Sequence, residues 1–549
     1  MADYEKRDKQ SDNFDPEKVV DEPIVAHASP AFDFDVHDLD RVQRRLKQRH
    51  VQMIAIAGTI GTGLFLGSGH ALGQAGPLGA LIAYALVGTV AYSSLCAVGE
   101  MTTWAPISGT FPHFAARWVD PALGFAVGWN YFYTTAISIP VEITAAVILL
   151  GFWDDNLKHV PIYLAIICVL VSAINVFGVR YFGEAEFAFS IIKISLIIGL
   201  LIAGLVIDLG GTPNHDRIGF RYWKNPGAIA PLGLEPKHRN LDKFLAIVSV
   251  LVQAAFSFQG MELVVIAASE TESPRRNIAK AVRRVFYRIL VFYILGILMI
   301  GMLVAYNDDE LLKSTGTAAQ SPFVIAINRA GIKVLPHIIN AAVFTSAFSA
   351  GNSFLFCSSR VLYGLALRGQ APKYLTYCTK KGLPLYAVFT CSVFSLLSFM
   401  SCSSGANMVF TWFVNLSTTG GFTGWFVINL TYVFFRRGLL AQGFDPKQNT
   451  YNNPWQPWLS YWGMFWVAIF ILVNGFQVFW NFKAADFLTA YINIPIFISL
   501  YVGWKLYKRT KVWHPLDMDF VTGIPTLEET EEPEVPPRHL GDKIANVLF

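Results

Sequence analysis

Near the start of the chain, the run Gly58-Thr-Ile-Gly-Thr-Gly63 interrupts a long apolar stretch. Each glycine weakens a helix by about 1 kcal/mol relative to alanine, so this run is predicted to unwind. An unwound turn exposes backbone N–H groups, which favour a carboxylate at the start of the second half-helix. It also exposes carbonyls that accept hydrogen bonds from an ammonium group, while Thr59 and Thr62 add hydroxyls. The run offers partners to both poles of a zwitterion, unless its glycines only let helices pack closely.

A second interruption, Phe256-Ser-Phe-Gln-Gly-Met-Glu262, lies in a later apolar stretch. When the apolar stretches are counted as membrane spans, this one is span 6 and the first interruption lies in span 1. The two occupy the same place in successive five-span units, and such paired interruptions indicate a transporter binding site. Phe256 and Phe258 flank Ser257, so an aromatic ring here either closes over a solute as a gate or fills space between helices.

Ionisable residues within apolar stretches are costly and are therefore candidates for function. Glu142 and Glu262 are predicted either to bind the amine of a solute or to lock helices together. Glu100 lies near the end of its stretch, where a structural role is favoured. Asn352 lies deep enough to line a cavity, with a satisfied interhelical hydrogen bond as the alternative.

Lys193, within Phe-Ser-Ile-Ile-Lys-Ile-Ser-Leu, carries a hypothesis of proton coupling. Desolvation disfavours the charged ammonium, so a buried lysine can release its proton near neutral pH. A protonated Lys193 would hold spans 1, 5 and 8 together, and a deprotonated one would release them. Glu262 is the second candidate for proton coupling. The alternative is a permanent salt bridge between Lys193 and either Glu142 or Glu262.

Apolar runs of about 20 residues, the length that crosses a bilayer, recur along most of the chain. They predict an all-α integral membrane protein with about twelve transmembrane helices, of which the first and the sixth are broken. Two of the runs are long enough to tilt or to extend beyond the bilayer. The predicted spans are 51–70, 78–103, 121–150, 160–179, 186–208, 244–269, 286–305, 334–366, 384–403, 407–435, 459–481 and 486–507.

Lysine and arginine cluster in the short loops on one side of these spans, which predicts that both termini are cytoplasmic. Residues 1–45 are polar and poor in aromatics, and are predicted to form a disordered tail. Its lysines (Lys6, Lys9 and Lys18) make ubiquitin-ligase adaptors candidate partners of the cytoplasmic tails. The other predicted parts are a transporter domain, 46–510, with repeats near 51–208 and 244–436 and extra spans near 459–507, and a C-terminal tail, 511–549.

Composition excludes several classes of protein. The chain is 53% hydrophobic and 15% charged, whereas soluble domains carry about 25% charged residues. The net charge of +4 is spread between spans, so it indicates topology and not nucleic-acid binding. The cysteines match neither a metal site nor a disulfide framework. With no nucleophile–base pair evident, the sequence predicts no catalytic residue, metal or cofactor, and the protein is not expected to be an enzyme.

Further motifs accompany the two interruptions. They include Gly99-Glu-Met101, Pro106-Ile-Ser-Gly109, Val119-Asp-Pro-Ala-Leu-Gly-Phe-Ala-Val-Gly-Trp-Asn-Tyr131, Pro274-Arg-Arg276, Gly351-Asn-Ser353, Gly369-Gln-Ala-Pro372 and Phe410-Thr-Trp-Phe-Val-Asn-Leu416. Together they resemble the fungal amino acid permeases of the amino acid–polyamine–organocation superfamily, over residues from about 45 to 515. The chain departs from that pattern at Thr431-Tyr432, where relatives often carry Ser-His, and at Gln259, where many have a smaller residue.

The resemblance implies a five-plus-five inverted repeat with two extra helices, and proton-driven import of amino acids across the plasma membrane. The implied partners are an amino acid, a proton and the lipid bilayer, and Lys193 matches the family's span 5 lysine. Two alternatives stay open. One is a permease for amines such as polyamines or choline, and the other is a nutrient receptor of the same fold that hardly transports. The implied binding positions are Thr59, Ile60, Gly61, Thr62, Gly63, Phe256, Ser257 and Phe258.

Overall fold

The structure is a computed structural model whose described residues are mainly helical. The described residues are 46–154, 156–213, 215–312, 321–380 and 382–531. Three sequence predictions lie outside the described residues: the N-terminal tail with its lysines, the last part of the C-terminal tail at 532–549, and the side chain of Thr59.

The first half of the chain holds both predicted helix breaks. Its helices are α1 (Gln48–Thr59), a π-helical turn (Gly63–Gly67), α2 (Ser68–Trp104), α3 (Thr110–Trp118), α4 (Pro121–Leu150), α5 (Val160–Val176), α6 (Val179–Asp208), α7 (Arg221–Lys224), α8 (Arg239–Ser249), α9 (Leu251–Phe258) and α10 (Leu263–Ile266). Local sequence explains where α4 begins: Pro121 is its first residue, and the Asp120 carboxylate accepts a hydrogen bond from the Ala122 N–H at 2.9 Å.

The second half of the chain contributes the remaining helices. They are α11 (Pro274–Leu303), α12 (Asp309–Leu312), α13 (Pro322–Arg329), α14 (Leu335–Leu367), α15 (Leu385–Phe394), α16 (Ser401–Ser404), α17 (Ala406–Ala441), α18 (Trp458–Val473), α19 (Ala484–Tyr491), α20 (Asn493–Lys508) and α21 (Leu527–Thr530). A 3-10 turn, Ser395–Met400, joins α15 to α16.

Membrane-spanning helices dominate the described part of the chain. Seven helices there are long and apolar enough to cross a bilayer, and the bent pair α19 and α20 makes an eighth. One of the seven runs from Gly63 to Trp104 and joins two predicted spans through a kink at Gly76, whose φ is +73°. A helix or a broken helix occupies each of the twelve predicted positions among the described residues. The predicted all-α membrane fold with broken spans 1 and 6 is confirmed.

The broken helices lie inside the bundle and not at its edge. Helix α1 packs against α6, α11 and α14, while α9 packs against the π-helical turn and α2. Helix α4 packs along α14 and α17 and is buried over almost its whole length. Because protein surrounds both breaks, their free backbone groups can be satisfied without contact with lipid.

A C-terminal segment, residues 511–531, packs across the end of the bundle that carries Trp104 and Asp120. Arg117 of α3 forms a salt bridge of 3.0 Å with Asp519 and donates a hydrogen bond to the Thr522 carbonyl. Burial opposes the charged form of Asp519, but Arg117 and backbone N–H groups outweigh it and hold the pKa of this carboxyl below its ordinary value. This part of the predicted tail is therefore fixed to the transporter domain.

Candidate functional site

Span 1 breaks between α1 and the π-helical turn. Helix α1 ends at Thr59, Ile60 and Gly61 leave the helix, and the chain becomes helical again at Thr62. The break is buried, and the Ile60 carbonyl accepts a hydrogen bond of 2.9 Å from the Ser346 hydroxyl of α14. A carbonyl oxygen has two lone pairs, so it can accept a second hydrogen bond from a ligand.

Glu142 of α4 lies directly against this break. Its Oε2 accepts a hydrogen bond of 3.1 Å from the Thr62 hydroxyl, and its side chain is buried. A Cβ atom at Gly61 would lie 2.9 Å from Oε1 of Glu142, closer than an ordinary contact. A side chain at position 61 would displace the carboxylate of Glu142, so the glycine allows the backbone and this carboxylate to meet directly. The arrangement presents a carboxylate and backbone carbonyls to a cationic group.

Span 6 breaks where α9 ends at Phe258. Gln259 is extended, with φ −60° and ψ 145°, and Gly260 has a φ of +92°, a conformation that favours glycine. The two breaks adjoin each other, since a Cβ atom at Gly63 would lie 2.8 Å from both Cα and Oγ of Ser257. The helical turns next to the two predicted interruptions therefore pack against each other.

Phe256 and Phe258 lie on different sides of α9. Phe256 packs in an apolar cluster with residues of α4 and α17, and its ring meets Phe410 edge-on at 6.4 Å. Phe258 stacks on Tyr293 of α11 at 4.6 Å and lies 6.3 Å from Tyr84 of α2. Residues two positions apart in a helix are rotated by about 200° around its axis, so only one of the two rings can face a given compartment.

Ser257 joins α9 to the two helices behind it. Its hydroxyl lies 3.1 Å from the Tyr84 hydroxyl and donates a hydrogen bond of 3.1 Å to the Gln253 carbonyl. The Tyr293 hydroxyl donates a hydrogen bond of 2.6 Å to the Ser257 carbonyl. These bonds hold the last turn of α9 in place beside Gly63.

Gln259 connects the span 6 break to α17. Its amide nitrogen donates to the Ser417 carbonyl at 3.0 Å, and its amide oxygen accepts from the Ser417 hydroxyl at 3.2 Å. The Ser417 hydroxyl also lies 2.6 Å from the Ser138 hydroxyl of α4. Gly421 leaves room for this amide, because a Cβ atom there would clash with Gln259. The contacts Gln259–Ser417–Ser138 join the span 6 break to α17 and α4.

Lys193 of α6 is fully buried, and the carboxylates of Glu186 and Glu142 lie within electrostatic range of it. Glu186 accepts hydrogen bonds of 2.6 Å from the Ser349 hydroxyl and from the Asn352 amide. The structure thus directs Asn352 toward Glu186. Its predicted role in substrate binding stays a prediction.

Sequence reasoning missed Glu186. The predicted fifth span begins at residue 186, which places this carboxylate at the membrane surface, whereas α6 begins at Val179. Glu186 is therefore two turns inside the helix and is fully buried. A signal was available, because Glu186 precedes Lys193 by seven residues and so lies on the same helical face.

Glu262 and Glu100 belong to separate polar clusters. Glu262 accepts a hydrogen bond of 3.0 Å from the Tyr131 hydroxyl of α4. Glu100 accepts hydrogen bonds from the Tyr432 hydroxyl at 2.5 Å and from the Asn453 N–H at 2.8 Å. Glu100 thus joins α2 to α17 and to the loop that precedes α18, as expected of a structural residue.

A cavity of about 300 Å³ lies beside the breaks, toward the ends of α9 and α4 that are remote from the C-terminal segment. Phe410 lines it and also contacts the ring of Phe256, which lies near the end of α9. The rest of its wall is mixed, with apolar residues beside the polar side chains of His70, Gln253, Asn407 and Asn415. Among the described residues, no group of three or more His, Cys, Asp or Glu side chains could hold a metal.

Comparisons with known proteins agree with this geometry. The family model described as amino acid permease matches residues 50–515. The dicarboxylic amino acid permease of Saccharomyces cerevisiae is 41% identical over 90% of this chain and 82% of its own length. The proline-specific permease of Emericella nidulans is 43% identical over 87% of each chain. The lysine-specific permease of Saccharomyces cerevisiae is 38% identical over 91% of this chain and 82% of its own length.

A solved structure shares the fold. The manganese transporter of Eremococcus coleocola aligns with a TM-score of 0.53 over 84% of this chain and 94% of its own, at 12% identity. A likeness at that identity supports the fold alone.

Proposed function

Because the chain belongs to the amino acid permease family, we propose that it is a proton-coupled symporter. In this proposal it imports amino acids across the plasma membrane by alternating access. The observation that carries the proposal is the contact between the turns that flank the two helix breaks, beside the buried Glu142 carboxylate. Broken helices at corresponding places of two repeats are the usual binding site of such transporters.

The proposed site holds both poles of a zwitterion. N–H groups of the turn that begins at Gly63 bind the substrate carboxylate, where the helix end carries partial positive charge, while Thr62 holds the Glu142 carboxylate. Carbonyls of Thr59, Ile60 and Gly61 bind the ammonium group together with Glu142. The lone pair left on the Ile60 carbonyl and the 2.9 Å limit at Gly61 support this assignment.

The proposed side-chain compartment lies toward α17. Phe256 faces this compartment as the gate, because its ring contacts Phe410, which lines the cavity of about 300 Å³. Ser257, Phe258 and Asn352 shape the site through the helices that they join. The relatives are named for dicarboxylic amino acids, proline and lysine at similar identity, so the substrate panel must include all three.

Lys193 is the proposed carrier of the coupling proton, and Glu262 is the second candidate. Protonated, the ammonium of Lys193 is balanced by buried carboxylates on α6 and α4, which holds these helices together. Loss of the proton removes that attraction and frees α6 to move relative to α4 and α14. This difference would couple proton release to the conformational change.

Uptake measurements in cells that lack their own amino acid permeases test the proposal. Labelled proline, glutamate, lysine and a neutral amino acid are each supplied at pH 5 and pH 7, with unlabelled amino acids or polyamines as competitors. We expect higher uptake at pH 5 and competition by amino acids. Competition by amines alone would instead indicate an amine permease, and binding without accumulation would indicate a receptor.

We also propose that both termini are cytoplasmic and that ubiquitin-ligase adaptors act on the cytoplasmic tails. The basic residues in the short loops support this orientation. Replacement of Lys6, Lys9 and Lys18 by arginine is expected to slow removal of the protein from the plasma membrane. Unchanged turnover of that variant would contradict the adaptor proposal.

A further inference from the structure

Two donors of α14 anchor the carboxylate of Glu186. Its Oε1 accepts from the Asn352 amide and its Oε2 from the Ser349 hydroxyl, both at 2.6 Å. The Asn352 side chain is oriented in turn, because its Oδ1 accepts a hydrogen bond of 2.7 Å from the Asn175 amide of α5. An amide N–H group can only donate, so this chain from α5 through α14 to α6 favours the ionised carboxylate.

This anchored carboxylate faces Lys193 along one helix. Two turns of α6 separate the residues, and each is fully buried with no contact with solvent. Glu142 also lies in electrostatic range of Lys193. Glu142 bonds Thr62 beside Gly61, so its carboxylate is assigned to the substrate and Glu186 is left as the fixed counter-charge.

Several titratable groups among the described residues of α1, α14 and α11, which pack against α6, have partners of their own. His50 of α1 lies 3.2 Å from Glu184, and Arg49 bonds the same carboxylate. Arg360 of α14 bonds Glu270 at 2.9 Å. The Tyr293 hydroxyl of α11 donates to the Ser257 carbonyl.

We propose that Glu186 is a positioning residue for proton coupling: its anchored carboxylate fixes the proton affinity of Lys193 and so sets the pH range of transport. The inference rests on the proposed function. Two unit charges about 10 Å apart in a protein interior alter proton affinity by about tenfold, which corresponds to about one pH unit. Loss of the negative charge weakens proton binding, so transport then requires a more acidic medium.

The test is the pH profile of uptake for the full chain carrying Glu186→Gln. Glutamine keeps both hydrogen bonds, because its oxygen accepts from Asn352 and its amide donates to the Ser349 hydroxyl. We expect the pH of half-maximal uptake to fall by about one unit, with partial recovery in Glu186→Asp. The matched control is Glu184→Gln, which removes a half-exposed carboxylate from the same helix and should leave the profile unchanged.

A lower rate at every pH with an unchanged midpoint would overturn the inference, because it would indicate a structural role only. If Glu186→Gln is inactive at every pH, the pH of half-maximal uptake is measured for Ser349→Ala instead. That variant keeps the carboxylate but removes one donor, so a smaller shift in the same direction supports the inference and an unchanged midpoint overturns it. Absence of pH-dependent uptake in the unaltered protein would instead refute the proposed function.

Discussion

Replacement of Gly61 by alanine tests the contact between the span 1 break and Glu142. The new methyl carbon would lie 2.9 Å from Glu142 Oε1 and 3.4 Å from the Ala350 Cβ, so the carboxylate must move by a few tenths of an ångström. That movement disturbs the hydrogen bond of 3.1 Å between Thr62 and Glu142. A hydrogen bond to a charged group contributes about 1.5–3 kcal/mol, which corresponds to about a tenfold to a hundredfold change in affinity.

The assay is the concentration dependence of amino acid uptake, measured together with the amount of folded protein in the membrane. We expect the KM of Gly61→Ala to rise at least about tenfold without loss of protein, because residue 61 is outside any helix. The control is Gly296→Ala in α11, where the new methyl carbon would meet only Leu64 and Ile197 side-chain atoms at 3.8 and 4.0 Å.

The comparison between the two glycine variants decides the outcome. Equal KM values for Gly61→Ala, Gly296→Ala and the unaltered protein would refute the assignment of this break to the substrate. A loss of folded protein in Gly61→Ala alone would show that the break serves helix packing, which was the alternative weighed from the sequence.

Three further predictions concern proton coupling, selectivity and the C-terminal segment. Lys193→Met should abolish pH-dependent accumulation while substrate exchange remains, and retained proton-driven accumulation would exclude Lys193 as the carrier. Gln259→Ala should relax selectivity in favour of larger substrate side chains, because the bridge to Ser417 is lost. The ratio of KM values for two substrates of different size should change by about tenfold. The pKa of Asp519 is held below its ordinary value, so its salt bridge with Arg117 stabilises the folded state above the pKa of an unfolded aspartate and is lost as pH falls through the folded pKa. Limited proteolysis within 511–531 should therefore accelerate in acid, and at neutral pH in Arg117→Met; equal cleavage rates in all cases would contradict this.

The sequence contains enough information to predict the helix breaks. Glycine and polar residues are uncommon within apolar membrane helices, and together they indicate a break in the helix. Both breaks lie within the predicted runs, at Ile60–Gly61 and at Gln259–Gly260. The sequence spacing also predicts that Phe256 and Phe258 lie on opposite sides of the helix, because the helical period rotates them by about 200° relative to each other.

Other features depend on three-dimensional packing. Glu186 was overlooked because hydropathy places the start of a helix poorly when charged residues lie within its first turns. The bond between Gln259 and Ser417 joins residues 158 positions apart, and no local pattern indicates such a contact. The docking of the C-terminal segment through Arg117 and Asp519 is likewise a long-range contact between residues that appear polar and exposed in the sequence.

Concentrative uptake by the purified protein in proteoliposomes tests directly whether a proton gradient drives amino acid import through the site at the helix breaks. Vesicles with an alkaline interior and an acidic exterior are supplied with the labelled amino acid that the cellular panel identifies. We expect accumulation above the external concentration, and this accumulation should collapse when a protonophore is added. Accumulation unaffected by the protonophore, or uptake no higher than in vesicles with Gly61→Ala protein, would contradict it.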